Sequence, residues 1–276
     1  MEAKSVRTIR PRSGFIGWGL TEIWDYRELF FFFVWKDLKI RYRQAAIGIG
    51  WAVIQPLAAM VIFTVIFGKL AGIPSEGVPY QVFVFPTLML WTYFSNAVSS
   101  SSNSLVLNSN LISKIYFPRL LLPLSACLVG LVDYFISSII LIAIMIYYGV
   151  SLSISILLTV VPLMLTMVLA AGIGSWLSAI YVRYRDVQYA VPFFIQLLLF
   201  MSPIIYPLSI VTGTSRELLT IANPLVGIMT AQRAVVLGNA SVDWYLIGIS
   251  TLVTLAVFAL GISYFKHHER QMADVI

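Results

Sequence analysis

Arg41-Tyr42-Arg43-Gln44-Ala45-Ala46-Ile47-Gly48-Ile49-Gly50-Trp51-Ala52-Val53-Ile54-Gln55-Pro56 separates two kinds of sequence. On its N-terminal side, Trp24 to Arg43 mixes aromatic residues with Asp25, Glu28, Lys36, Lys39 and Arg43 at near-helical spacing. Charges that recur so often leave no room for a crossing, which needs roughly 20 apolar residues. The segment is therefore expected to lie on a membrane as an amphipathic interface helix, with its aromatics in the headgroup layer and its lysines on the wet side. On the C-terminal side, Trp51 to Phe67 is apolar and, with its flanks, long enough for a first crossing. At the junction Gly48 and Gly50 allow close backbone approach.

Downstream the pattern repeats. Lys69 to Gln81 carries Gly72, Pro74, Gly77 and Pro79 and reads as a loop, and Val82 to Val98 as a second span. Ser99 to Asn110 is largely serine and asparagine, which suggests a non-membrane connection containing a short amphipathic helix. Leu120 to Tyr148 and Leu152 to Tyr181 form the third and fourth spans, followed by a charged loop from Val182 to Val187 and a fifth span from Val191 to Tyr206. Between Pro207 and Val242, Pro224 and Gly227 interrupt a moderately apolar stretch holding Arg216, Glu217 and Arg233, which predicts short helices dipping into the membrane from one side. Trp244 to Phe265 is the last span.

The expected fold is an all-α polytopic membrane protein: six transmembrane helices, an N-terminal amphipathic interface helix and short re-entrant helices before the last span. The chain divides into a lead-in over 1–23, the interface helix over 24–43, a transmembrane domain over 44–265 and a tail over 266–276. Composition agrees, with 59% hydrophobic and 11% charged residues and a mean hydropathy of +0.90, against roughly 45–50% and about 25% in soluble domains.

Met1 to Arg12 is basic and is followed by no short apolar run with a small-residue cleavage site, so it does not read as a signal peptide. With a cytosolic N-terminus and six spans, fifteen basic residues fall inside and only Lys69, Arg216 and Arg233 outside. That asymmetry supports a multi-pass orientation with both termini cytosolic.

The chemistry-bearing residues are few. A net charge of +6 is scattered among apolar segments without a continuous basic face, which argues against nucleic acid. Cys127 lies in an apolar run, and His267 and His268 have no neighbouring cysteine or carboxylate set, so no metal site is expected. Gly68-Lys69 lacks the earlier glycine and the following Ser or Thr of a phosphate-binding loop, and no hydrolase or metalloprotease motif occurs. Asp133 is the one clear ionisable group at mid-span, expected near the bundle interior or bonded to neighbouring serines. Aromatics make up 14% of the chain and many fall within spans: Trp51, Phe63, Trp91, Tyr93, Phe193, Phe194, Phe200 and Tyr206 are candidates to line a path for sugar rings, with lipid-facing packing as the alternative. Lys39, Arg41 and Arg43 are placed to meet a phosphate-bearing lipid headgroup, or simply anionic lipid.

Several of these patterns agree with one family. Lys36-Asp37-Leu38-Lys39-Ile40-Arg41-Tyr42-Arg43-Gln44 through Gly48, Trp51 and Gln55-Pro56 resembles the N-terminal signature of ABC-2 type permeases that export polysaccharides. Leu111-Ile112-Ser113-Lys114-Ile115-Tyr116-Phe117-Pro118-Arg119, Arg183-Tyr184-Arg185-Asp186-Val187, Ser202-Pro203-Ile204-Ile205-Tyr206-Pro207 and Asn223-Pro224-Leu225 with Arg233 are similar to later parts of it. The resemblance implies a homodimeric permease in the bacterial inner membrane, paired with two copies of a separate ABC ATP-binding subunit. It moves a lipid-linked O-antigen, capsular polysaccharide or teichoic acid, with a small drug or lipid as the alternative cargo. No cofactor is expected on this chain, ATP and Mg belonging to the partner. It also implies a coupling helix at about 103–116, whose Asn108, Asn110, Leu111 and Lys114 would meet the ATPase, and outer gate helices at about 207–238.

Overall fold

The computed structural model describes residues 20–43, 48–238, 242–269 and 271–272. The lead-in up to residue 19, Gln44 to Ile47 of the junction and the end of the tail lie outside the described residues. Among the described residues the structure is helical throughout, without a strand.

Two helices precede the first span: α1 (Leu20–Asp25) and α2 (Arg27–Arg43). Across the break at Tyr26, hydrogen bonds from the Tyr26 amide to Glu22 and from the Phe30 amide to Tyr26 keep the two nearly continuous. The chain resumes at Gly48, whose φ of 53° suits glycine. Then α3 (Gly50–Phe63) runs on as a π-helix over Thr64–Leu70, giving 21 residues of span.

The second span, α4 (Tyr80–Leu107), is the axis of the molecule: 78% of its apolar window is buried, against 17% for the first span. At 28 residues it extends about 42 Å. It includes Ser99 to Leu107, which the sequence reading assigned to a connection. The serines explain the difference. Ser102 and Ser104 donate to carbonyls one turn back, Ser99 and Ser101 respectively, so their hydroxyls need no water. Ser101 donates instead to Pro123 on the next span, and a Cβ on Gly174 would lie 2.3 Å from the Ser101 hydroxyl. This serine run is thus a small-residue seam that lets helices approach, a pattern suited to membrane packing.

After a kink at Asn108 come the single turn α5 (Ser109–Ile112) and the third span, α6 (Leu121–Tyr147). A 3₁₀ turn (Ile154–Thr159) leads into α7 (Val160–Arg183). Next, α8 (Val187–Met201) has only 15 residues, about 22 Å, short of a roughly 30 Å hydrocarbon core. The irregular Ser202–Pro207 segment extends it. The pair α9 (Thr214–Ala222) and α10 (Leu225–Leu237) bends by 99° at Asn223-Pro224, a geometry shared by a broken span and by the expected re-entrant helices. The last span is α11 (Trp244–His268). Among the described residues five helices are long and apolar enough to cross, or six if the bent pair is one span, so the chain is a multi-pass membrane protein.

Packing records the up-and-down order. Phe33 of α2, Leu105 of α4, Phe117, Leu120 to Leu122, Val182 of α7 and Phe265 of α11 share one apolar cluster at one end of the bundle. At the opposite end Leu208, Val226 and Leu246 form another. Lys36, Arg119 and Lys266, which the sequence reading assigned to the inside, fall at the first end, whereas Arg41 reaches Asp133 partway along α6.

Candidate functional site

The interface helix is built differently from its expectation. Leu29 to Val34 is an unbroken apolar run and so encircles α2, and no single packing face can bury it all. Phe33 is fully buried against Phe117, with ring centroids 5.5 Å apart, whereas Phe31, Phe32 and Trp35 stay exposed. Lys36 turns inward rather than to the wet side: its Nζ donates to Asn108 Oδ1 at 2.7 Å, pairs with Asp37 at 3.2 Å and lies 5.5 Å from the Phe33 ring centroid.

Two turns later α2 reaches Asp133, which is 8% exposed on α6. Its carboxylate is paired with the Arg41 guanidinium and accepts the Tyr42 hydroxyl at 2.5 Å. The partners of Asp133 are therefore on the interface helix and not on nearby serines. Tyr42 is half-buried, and burial, then its bond to Asp133, raises its phenol above the ordinary 10.0. Asp133 lies twelve residues into α6, about 18 Å along its axis, so α2 climbs the bundle wall from the end where Phe33 packs on Phe117.

Around this pair lies a small cleft of about 70 Å³, bordered by α2, by Gly48, Trp51, Gln55 and Pro56 of the junction, by Thr92 and Asn96 of α4, and by Ser137 of α6. Its lining combines a guanidinium, a carboxylate, two amides, the three hydroxyls of Tyr42, Thr92 and Ser137, and an indole. That set suits an anionic, hydroxyl-rich ligand: Arg matches phosphate oxygens, amides and hydroxyls match sugar hydroxyls, and Trp offers a flat apolar face. The sequence reading identified Arg41 and Trp51 here but missed Gln55 and Asn96. The available signal was a carboxamide inside an apolar span, on the same grounds that singled out Asp133.

The family model for the ABC-2 type transporter matches residues 28–237. The chain belongs to this family. Relatives of this ABC-2 chain include the O-antigen export system permease protein RfbA of Myxococcus xanthus, 26% identical over 92% of this chain and 98% of its own length. A Klebsiella pneumoniae protein of the same name is 24% identical over 87% of this chain and 92% of its own length. The polysialic acid transport protein KpsM of Escherichia coli is 22% identical over 86% and 92%.

The remaining candidate residues of this ABC-2 permease-like chain separate by exposure. Trp51, Phe193, Phe194 and Phe200 stand on the outer surface, and Phe63 and Tyr206 are half-buried. Trp91 and Tyr93 are 5% and 1% exposed within α4, so they are core of the single chain and present no face to a path. Tyr93 packs edge-on to Tyr134 and donates to the Cys127 carbonyl at 3.3 Å. Lys39 and Arg43 are exposed beside the cleft. In the segment expected to couple, only Ser109–Ile112 forms a separate helix; Asn103 to Leu107 still belong to α4. Asn110 and Lys114 are exposed there, Leu111 is half-buried and Asn108 is held by Lys36.

At the other end a second constellation appears, in the stretch that sequence reasoning read as short helices dipping into the membrane, with Arg233 counted on the outer side. Arg233 of α10 is 4% exposed. It donates to the carbonyls of Pro203 at 2.6 Å, Ile204 at 3.2 Å and Phe83 at 3.3 Å, and its guanidinium carbon sits 3.7 Å from the Phe83 ring centroid. Tyr80 donates to Ile205 at 2.8 Å, and Asn223 to Ser202 Oγ at 2.9 Å. Irregular backbone survives at membrane depth only where protein satisfies it. These side chains do so for the break after α8.

Proposed function

We propose that this chain is the transmembrane permease subunit of an ABC exporter that moves a lipid-linked polysaccharide, such as an O-antigen or capsular polymer, across the bacterial inner membrane. The observation that carries the reading is the near full-length similarity to O-antigen export permeases, over 92% of this chain. The absence of a phosphate-binding loop in its 276 residues supports a separate ATP-binding subunit, which would hold ATP and Mg. Two copies of the chain would face each other across the path, with the exposed apolar faces of α3 and α8, among them Trp51, Phe193, Phe194 and Phe200, turned toward the polymer. The coupling surface would be Asn110, Leu111 and Lys114. Lys39, Arg41 and Arg43 would gather the negatively charged headgroup on the cytosolic side, where the basic excess and both termini would lie.

Deletion of the gene is expected to abolish surface polymer while lipid-linked polymer accumulates inside, and rescue is expected to require both this chain and its ATPase partner. A deletion strain that keeps its surface polymer but becomes sensitive to a toxic small molecule would favour a drug or lipid exporter instead. Sustained ATP turnover by the isolated chain would contradict the division of labour.

A further inference from the structure

The cleft contains one guanidinium, and the protein's own carboxylate already occupies it. The Arg41 side chain is 31% exposed and that of Asp133 11%, so the pair is closed behind the carboxylate and open on the arginine side. A guanidinium has five N–H donors in a planar fork, and one carboxylate does not exhaust them. A phosphate oxygen entering past Trp51 and Gln55 would therefore meet donors of Arg41 first and the negative charge of Asp133 immediately behind. The phosphate and Asp133 would compete for the same cation. Tyr42 gives Asp133 a second partner, which holds the carboxylate in place when the arginine leaves. Apart from this pair, the polar groups lining the cleft are uncharged amides and hydroxyls, so Asp133 sets the electrostatic threshold for an anion.

We infer that Asp133 is a built-in counter-ion that a phosphate-bearing lipid headgroup must displace from Arg41, and that this displacement loosens the end of α2 from α6. The inference rests on the reading of the chain as an exporter of lipid-linked cargo. It makes the cleft selective, because a neutral lipid cannot break the pair, and it makes headgroup arrival a mechanical event at the interface helix.

The test uses the complete transporter, this chain with its ATPase partner, in zwitterionic lipid. Binding of a polyprenyl monophosphate is measured for wild type and for Asp133→Asn. Removing the competitor is expected to tighten binding roughly tenfold, the scale of one charge-assisted hydrogen bond. A further Arg41→Gln change is expected to cancel that gain. A merely structural pair would give unchanged or weaker binding on Asp133→Asn, and either result overturns the inference. Hydrogen exchange on the wild-type complex keeps the test open if the variant does not fold. The polyprenyl monophosphate, and not a neutral polyprenol, is expected to speed amide exchange over residues 36–43; equal or slower exchange overturns it. Inorganic phosphate alone producing the same speeding would overturn the lipid-headgroup assignment. If the inference fails while surface polymer still depends on the chain, the export reading stands without it.

Discussion

Replacing Arg233 with methionine tests whether the outer break is held by one side chain. Arg233 is 4% exposed, and its donors reach the Pro203, Ile204 and Phe83 carbonyls. Methionine fills a similar volume but donates nothing, so Pro203 loses its 2.6 Å partner and Ile204 keeps only a long 3.4 Å contact from Thr87. Each buried acceptor left without a partner costs about 1–3 kcal/mol. The orphaned Pro203 carbonyl, the weakened Ile204 carbonyl and the lost cation–π contact to Phe83 together give a gross loss of about 3–6 kcal/mol. Relief from burying a charge returns part of it, leaving about 2–4 kcal/mol, a large fraction of the usual 5–15 kcal/mol of native stability. Arg233→Lys keeps the charge but cannot reach several carbonyls and stack on the ring at once, so it should fall between wild type and methionine. Thermal unfolding in detergent, beside surface-polymer export in cells, reads both consequences. Wild-type unfolding temperature and export in Arg233→Met would refute the reasoning, because the freed carbonyls would then have other partners.

Gly261→Ala should separate α7 from α11, since the added Cβ would stand 2.2 Å from the Gly172 carbonyl oxygen, a backbone atom that cannot swing aside. A loss of about 1–3 kcal/mol, read by thermal unfolding, is expected for such overpacking. Lys36→Met removes the 2.7 Å bond to Asn108 at an intermediate-exposure site, with a modest stability cost of about 1 kcal/mol. Its larger effect should be on export per ATP hydrolysed by the assembled transporter, and unchanged coupling would count against a role for α2 in transmission. Tyr42→Phe should cost about 1 kcal/mol by deleting the bond to Asp133. Because the Tyr42 phenol titrates above its ordinary 10.0 in the folded protein, that contribution is fully present below 10.0 and is lost only as pH rises through the higher folded value. The wild-type minus variant difference in chemical-denaturation midpoint should thus stay constant across neutral pH.

The spans were legible because hydrophobic length is a strong local signal. The bent hairpin was legible because Asn223-Pro224 cannot continue a straight helix. What could not be read locally was partnership. Ser99 to Leu107 looks like a polar linker until Pro123 and Gly174 are known to lie beside it. Arg233 reads as an outer-side cation on a short dipping helix until the break at Ser202–Ile205 supplies carbonyls for it. Asp133 stood out as an ionisable residue in a span, but that its partner is Arg41, 92 positions earlier, follows only from the climb of α2 along α6. Trp91 and Trp51 are chemically alike in sequence, yet one lies in the most buried helix and the other in the least buried span.

The two polar constellations are connected to the Ser109–Ile112 turn by different helices, and this sets what each could sense if that turn couples as proposed. Contacts from α2 bracket the turn, with Lys36 bonded to Asn108 before it and Phe33 packed on Phe117 after it. The far end of the same 17-residue helix carries Arg41 and Tyr42 into the cleft. If the proposed ATPase docks on the turn, a push there would reach the Arg41–Asp133 pair along five to eight residues of one helix, about 8–12 Å. The outer clamp is reached instead through α4, which ends at Asn108 and begins beside Phe83 and Thr87, where Arg233 and the Ile204 carbonyl meet it. An ion pair open on one side yields to a ligand, whereas a guanidinium buried among carbonyls and an aromatic ring does not. On the proposed reading, the cleft would respond to what arrives, and the Arg233 clamp would hold its geometry until α4 itself moves.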